Sequence, residues 1–229
     1  MDIAEYYENY WREKGDSASL PRLRFLAQYV DTDLKTLEIN AGAGLLAKML
    51  SDKGVEIEAT ELSHEGTRLI NEKGVPARQV DLDCEPLPYD DETFDCVVAN
   101  SVIEHMFFHQ KALAECVRVL RKGGKLVFCS PNIGHWRYRL WIVTGRFPYL
   151  QNTPTDESHL RFMTVRDARA LCRSQGLKVI RTDGFAYVNS KLYPFIMTVQ
   201  PFAAIYEKLA RWYPSLFARD FVLICEKTR

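Results

Sequence analysis

Two glycines one residue apart, Gly42 and Gly44, divide an apolar run from a helix-like run in Thr36-Leu-Glu-Ile-Asn-Ala-Gly-Ala-Gly-Leu45. Neither carries a Cβ, so the backbone can turn sharply there and come close to a ligand. Leu37 and Ile39 read as buried strand positions, and Leu45-Leu-Ala-Lys-Met-Leu50 continues with helical spacing. A strand, a glycine turn and a helix N-terminus make a site for a nucleotide-like ligand. Acidic residues stand at useful distances from it. Glu61 closes the next strand, about 20 residues on, where a carboxylate can accept both hydroxyls of a ribose. Glu38 sits just before the turn, where it could meet a positively charged amino-acid tail. Asp83 follows a third strand; it could accept from an adenine amino group while the Cys84 N–H donates to the ring. Up to this point a nicotinamide dinucleotide fits equally well, because Gly42-Ala-Gly-Leu-Leu-Ala47 matches G-x-G-x-x-A. The bland reading of the same residues is a tight turn and surface acids in some other α/β protein.

The elements that must position these residues alternate. Strands are expected at 35–39, 55–60, 76–81, 94–99, 125–129, 177–184 and 221–225. Helices are expected at 44–53, from Ser63 to Lys73, at 109–121 and at 165–175, with Ser63 as an N-cap and Gly54 and Gly176 as stops. Alternation of this kind means a parallel sheet covered on both faces. Before the first strand, residues 3–14 carry Tyr6, Tyr7, Tyr10 and Trp11 among charges, either a helix packed on the domain or a flap over the ligand. Pro21 suits the first turn of a second helix, with Leu23, Leu26 and Val30 on one side.

Composition narrows the class. The 229 residues suit one domain, 1–229, with an N-terminal helical segment 1–33 and two insertions. Thirty basic and thirty acidic residues cancel, so no overall field favours nucleic acid or an acidic membrane. Six scattered cysteines form no C-x-x-C pair, which argues against a zinc site or a disulfide framework and suits core thiols in a reducing cytoplasm. Neither a signal peptide nor an apolar stretch of about 20 residues is visible.

Taken in order, the motifs resemble those of class I S-adenosylmethionine (SAM)-dependent methyltransferases. Leu37-Glu-Ile-Asn-Ala-Gly-Ala-Gly44 resembles their first motif, and Glu61 matches the ribose-binding acid. Asp83 with Glu85-Pro-Leu-Pro-Tyr89 and Phe94-Asp95 resembles the adenine loop and fourth strand. Ser101-Val-Ile-Glu-His-Met106 and Val119-Leu-Arg-Lys-Gly-Gly-Lys-Leu126 resemble the two segments that follow. Asn40 departs from the pattern, standing where the family usually has its first glycine; Asn tolerates a left-handed backbone better than most residues. The resemblance implies an α/β Rossmann-like sheet of order 3-2-1-4-5-7-6 with strand seven antiparallel and helices on both faces. It also implies SAM as cofactor, held by Glu38, Asn40, Gly42, Gly44, Glu61, Leu62, Asp83, Cys84 and Asn100.

Two segments exceed ordinary loops, 130–163 and 186–219. In the family topology both begin at the ligand edge of the sheet and should build the substrate pocket or a lid. In the first, Trp136, Arg137, Arg139 and Arg161 suit an anionic or sugar-bearing acceptor, by stacking and bidentate contact; a solvated amphipathic helix is the alternative. Asn132-Ile-Gly-His-Trp-Arg137 and His159-Leu-Arg-Phe-Met-Thr164 resemble a narrower group, the MetW-like methyltransferases and relatives found with bacterial surface-polysaccharide enzymes. In the second, the apolar stretch 193–212 reads as core packing, a homodimer face or a peripheral membrane contact.

Methyl transfer from a sulfonium is an in-line displacement in which the protein mainly aligns the nucleophile. A hydroxyl acceptor also needs a base near neutral pH, and His105, His135 and His159 are candidates by position. Some relatives, the ubiquinone O-methyltransferases and small-RNA 2′-O-methyltransferases, bind a divalent metal with Glu-x-x-Glu-His. Here Ser101 replaces the first Glu beside Glu104 and His105, and no metal is expected. The expected protein is therefore a cytoplasmic O-methyltransferase of a small polar, sugar, glycan-precursor or lipid-linked acceptor. The alternatives are a non-catalytic partner of another enzyme, an RNA methyltransferase, for which a basic surface is lacking, and an NAD(P) oxidoreductase.

Overall fold

A computed structural model describes residues 3–14, 19–186 and 202–228. Seven strands form one sheet: β1 (Thr36–Ile39), β2 (Ile57–Glu61), β3 (Ala77–Gln79), β4 (Phe94–Asn100), β5 (Leu120–Pro131), β6 (Leu177–Phe185) and β7 (Asp220–Lys227). Their order is β3-β2-β1-β4-β5-β7-β6. All neighbours are parallel except β7, which runs antiparallel to both β5 and β6. Nine helices accompany the sheet among the described residues: α1 (Ile3–Lys14), α2 (Leu20–Ala27), α3 (Leu45–Ser51), α4 (His64–Glu72), α5 (His109–Val119), α6 (Trp136–Val143), α7 (Val165–Ser174), α8 (Phe202–Trp212) and α9 (Pro214–Phe217). The expected strand order and the antiparallel last strand are both present.

The local causes are legible in the chain. Phe94-Asp-Cys-Val-Val-Ala-Asn100 is almost wholly buried because the central strand is covered on both faces, which suits a nearly continuous apolar run. One core lies on the α5/α7 side, around Phe94, Leu113, Phe128 and Phe221. The other lies on the α2/α3 side, around Leu26, Leu46, Leu50 and Val98. The starts of α4 and α7 are fixed by side-chain caps. The Ser63 hydroxyl accepts from the Gly66 N–H, and the Thr164 hydroxyl accepts from the Asp167 N–H while donating to the Asp167 carboxylate. The helix expected at 109–121 ends at Val119, because the chain is already in β5 at Leu120, opposite Phe94. Gly123 takes a left-handed turn inside that strand.

The second insertion is held by a close approach. A Cβ on Gly184 would stand 2.2 Å from the Ala210 carbonyl oxygen and 2.5 Å from the Ala218 methyl group, so only glycine lets α8 and the end of α9 lie against β6. Of the stretch 193–212, residues 193 to 201 lie outside the described residues, and the remainder is α8.

Candidate active site

A cavity of about 1050 Å³ opens at the carboxyl ends of β1, β2 and β4, where Glu38, Glu61 and Asn100 stand on its wall. Its floor is the turn after β1. Asn40, Gly42 and Gly44 all have positive φ, +43°, +62° and +73°. Asn40 therefore adopts the left-handed conformation that the turn demands, without a glycine. The Asn40 Oδ1 is buried and has no hydrogen-bond partner.

Glu61 is tied into this turn. Its carboxylate accepts from the Gly42 N–H at 2.9 Å, the Ser63 N–H at 3.3 Å and the Ser63 hydroxyl at 3.1 Å. Burial raises its pKa, while these donors and the Trp11 indole pull the other way. Glu38 is more exposed to cost. Burial pushes its pKa up to about 8, opposed by the Ala47 N–H and Asn100. Its Oε2 has no hydrogen-bond partner, and neither has the Asn100 Oδ1. A buried acid left half-satisfied on a cavity wall is a seat for a cationic hydrogen-bond donor. The α-ammonium of SAM meets that description, and Glu61 stands at the end of β2 on the same wall.

Of the other expected cofactor residues, Leu62, Asp83 and Cys84 line the cavity, whereas Gly44 does not. Gly44 is the N-cap of α3, and a Cβ there would meet Ile70 at 2.8 Å. The Asp83 oxygens already accept from the Phe107 and Phe108 N–H groups, at 2.8 and 2.7 Å. That carboxylate braces the entry to α5 as well as bordering the cavity.

Helix α1 forms the opposite wall with Tyr6, Tyr7, Tyr10 and Trp11. A Cβ on Gly42 would stand 2.5 Å from the Trp11 ring, so the indole lies directly on the glycine turn. The helix is anchored at both ends of the site. The Glu65 N–H donates to the Glu8 carboxylate at 2.9 Å, and the Tyr7 hydroxyl lies 3.2 Å from His105 Nδ1.

The three histidines line the cavity but differ in their commitments. His135 is the N-cap of α6: its Nδ1 accepts from the Arg137 N–H, which places the proton on Nε2, facing the Tyr206 hydroxyl at 2.8 Å. Burial, with the Arg137 and Arg219 guanidiniums, lowers its pKa to about 4. Both its nitrogens are engaged, so it is a poor base. His105 Nδ1 lies 3.0 Å from the Ser158 carbonyl, and His159 Nδ1 lies 3.1 Å from the Pro154 carbonyl. A carbonyl only accepts, so each ring carries its proton on Nδ1 and leaves the Nε2 lone pair available. The two rings stand 4.7 Å apart between centroids. Burial lowers the pKa of His105, keeping it neutral.

Glu104 lies next to them, buried, with neither carboxylate oxygen hydrogen-bonded and its pKa raised by burial. Glu104, His105 and His159 bring one ligand atom each within 4.8 Å of one another and could hold a metal ion. A fixed cation is already close by. Arg22 donates to the Ser101 hydroxyl, forms an ion pair with Asp220 at 3.3 Å and feels the charge of Glu104.

Among the expected acceptor residues, only Arg137 reaches the cavity wall. The Trp136 indole N–H donates to the Tyr206 hydroxyl, and Arg139 donates to the Gly134 and Ser215 carbonyls. Arg161 donates to the Phe107 carbonyl and lies over the Phe107 ring. Trp136 and Arg139 join the two insertions, and Arg161 ties the first to the segment before α5. Arg22, Tyr206 and Arg219 line the cavity without having been anticipated. Arg22 did carry a signal, a cation inside the apolar run Leu20-Pro-Arg-Leu-Arg-Phe-Leu26.

Residues 21–204 match the family described as "Methionine biosynthesis protein MetW". The chain is 23% identical over 198 residues to a ubiquinone biosynthesis O-methyltransferase of Coxiella burnetii, covering 81% of this chain and 83% of that protein. It is 34% identical over 120 residues to a sarcosine/dimethylglycine N-methyltransferase of Halorhodospira halochloris, 49% of this chain and 43% of that one. Among solved structures, a SAM-dependent methyltransferase of Thermotoga maritima, described as a possible histamine N-methyltransferase, superposes with a TM-score of 0.68. It is 19% identical, over 98% of this chain and 96% of that one.

Proposed function

The chain belongs to the MetW family of class I SAM-dependent methyltransferases, and on that footing we propose that it methylates a hydroxyl of a small polar acceptor, with a sugar or glycan precursor as the leading class. The acceptor sits at the end of the cavity bounded by His105, His159 and Arg137. The observation that carries this reading is the histidine pair, each ring with Nδ1–H held by a backbone carbonyl and Nε2 left to take a proton.

The cofactor supplies an electrophilic methyl group on a sulfonium sulfur. Glu38 and Asn100 would receive its amino-acid end, Glu61 its ribose, and Asp83 with the Cys84 N–H the adenine. The glycine turn would let the nucleotide approach the backbone, with Trp11 on the same turn. The protein's own chemical work is orientation and proton removal. Arg137 draws the acceptor in by charge-assisted hydrogen bonds, and Nε2 of His105 or His159 accepts the hydroxyl proton as the oxygen attacks. Arg22 supplies a resident positive charge that acts on the buried Glu104.

The test is calorimetric titration with SAM and S-adenosylhomocysteine, followed by a methyl-transfer screen of sugars, lipid-linked glycans and amines. The reading requires binding in the micromolar range and transfer to a hydroxyl that His159→Ala or His105→Ala slows at unchanged cofactor affinity. Transfer to an amine, indifferent to both histidines, would overturn the hydroxyl assignment. Folded protein that bound neither sulfur nucleotide would overturn the enzyme reading altogether.

A further inference from the structure

The last turn of α6 is apolar at four consecutive positions, Leu140-Trp-Ile-Val143. Four successive positions span a full helical turn, so they cannot all face one core. Leu140 and Ile142 are each 54% exposed and Val143 is 84% exposed. The chain that follows adds Phe147 and Tyr149, also exposed and meeting edge to face with centroids 5.6 Å apart. Helix α8 stands beside α6, joined through the Tyr206 hydroxyl to His135 and Trp136. It too exposes large apolar groups, Phe202, Ile205 and Trp212.

The charges of these segments are one-sided. From Pro131 to Thr155 there are three arginines, Arg137, Arg139 and Arg146, and no acid; residues 202–219 add Lys208, Arg211 and Arg219 against Glu207, and of these cations Arg139 and Arg219 donate to carbonyls within the fold. The chain as a whole is neutral, so the excess is local. Apolar groups interleaved with long cationic side chains suit a boundary between hydrocarbon and anionic headgroups, where the stems lie in the apolar layer and the guanidiniums reach phosphate. No helix among the described residues is long and apolar enough to cross a membrane, so the contact is superficial.

We propose that α6, the loop behind it and α8 form an interfacial face that seats this protein on an anionic lipid bilayer. The same segments border the cavity: His135, Arg137 and Tyr138 in the first turn of α6, Asn152 after the loop and Tyr206 in α8 all lie on its wall. The mouth therefore opens beside the bilayer, and an acceptor with a lipid tail reaches the histidine pair while its tail stays in the membrane. That second step rests on the methyl-transfer reading; the first does not.

The experiment is flotation of the full chain with vesicles of equal parts phosphatidylglycerol and phosphatidylcholine, beside vesicles of phosphatidylcholine alone. Binding to the anionic vesicles is expected, about tenfold weaker on the neutral ones and weakened by salt. Leu140→Asp/Val143→Asp should abolish it, and Arg146→Glu should reduce it severalfold. These side chains are exposed, so the variants should fold, and S-adenosylhomocysteine titration in solution should give the wild-type affinity. No binding to anionic vesicles, or binding indifferent to the double variant, would overturn the proposal. So would a lipid-free dimer that the double variant dissociates, because the face would then belong to a second copy. Vesicle binding without cofactor binding would leave the interfacial face standing and remove the methyltransferase reading.

Discussion

The two ends of the cavity are built by different physics. At the β1–β2 end the backbone does most of the work. Three left-handed residues and the Gly42 N–H define the shape, and two buried acids define the charge. At the end formed by the insertions, side chains braced by other side chains define both. His135, Trp136 and Tyr206 fix one another, and Arg139 is held by Gly134 and Ser215. A site made of backbone admits few substitutions and accepts one ligand shape. A site made of side chains can be re-cut for new acceptors without disturbing the first. Relatives that carry O- and N-methyltransferase names on one shared fold accord with this division.

The difference can be tested by damaging each end. The largest effect should come from His159→Ala or His105→Ala, with a methyl-transfer rate lower by about 10²–10⁴-fold and cofactor affinity unchanged. His135→Ala should instead act mainly on stability, lowering it by about 1–3 kcal/mol in a denaturant melt, because a buried cap and the Tyr206 contact are lost. Equal kinetic damage at all three positions would erase the distinction drawn between them. Next in size, Gly42→Val should weaken S-adenosylhomocysteine binding by about 100-fold or more, roughly 3 kcal/mol. Its φ of +62° disfavours a branched side chain, and the Trp11 ring occupies the space a Cβ would need.

Glu38 sharpens the comparison in the opposite sense. Its folded-state pKa lies near 8 against an ordinary 4.5. The native protein therefore holds more protons than the unfolded chain between these values. Its stability must fall as pH rises through that window and level off above about 8. Glu38→Gln should stabilise the free protein by about 1–2 kcal/mol above neutral pH, while weakening SAM binding by about tenfold. In the wild type a cationic ligand favours the ionised acid. SAM affinity measured by calorimetry should accordingly rise with pH, by at most about tenfold per unit, and flatten near 8. A flat profile would mean that Glu38 does not meet the positive end of the ligand. The smallest effect is expected from Tyr206→Phe, about 1 kcal/mol of stability with a modest rise in acceptor KM.

The same division explains how much could be read in advance. The sheet order was implied by the resemblance that the ordered motifs carry, and the expected nucleotide-end residues are close in the chain. Glu38, Asn40, Gly42 and Glu61 lie within one β1–α3–β2 unit, where local geometry decides the outcome. Arg161 and Arg139 were expected to face the acceptor and instead brace Phe107 and Ser215. Nothing local in an arginine says whether it will meet a ligand or a carbonyl from a distant segment. Arg22 and Arg219 reach the cavity because α2 and the start of β7 converge from opposite ends of the chain, which periodicity does not report. The histidine pair is intermediate. Both residues were candidates, but only the Ser158 and Pro154 carbonyls decide which nitrogen carries the proton.

Helix α1 has a consequence for how the protein is made. It emerges from the ribosome before Gly42, Glu65 and His105, the three places where it docks. Its aromatic face must therefore wait, unpartnered, until β4 has been synthesised and the turn after it has formed. Closure of that wall is thus a late event of folding, although its residues precede their partners in the chain. An expression clone that began only a dozen residues downstream would keep all the methyltransferase motifs and fold its sheet. It would nonetheless leave the nucleotide turn open to water.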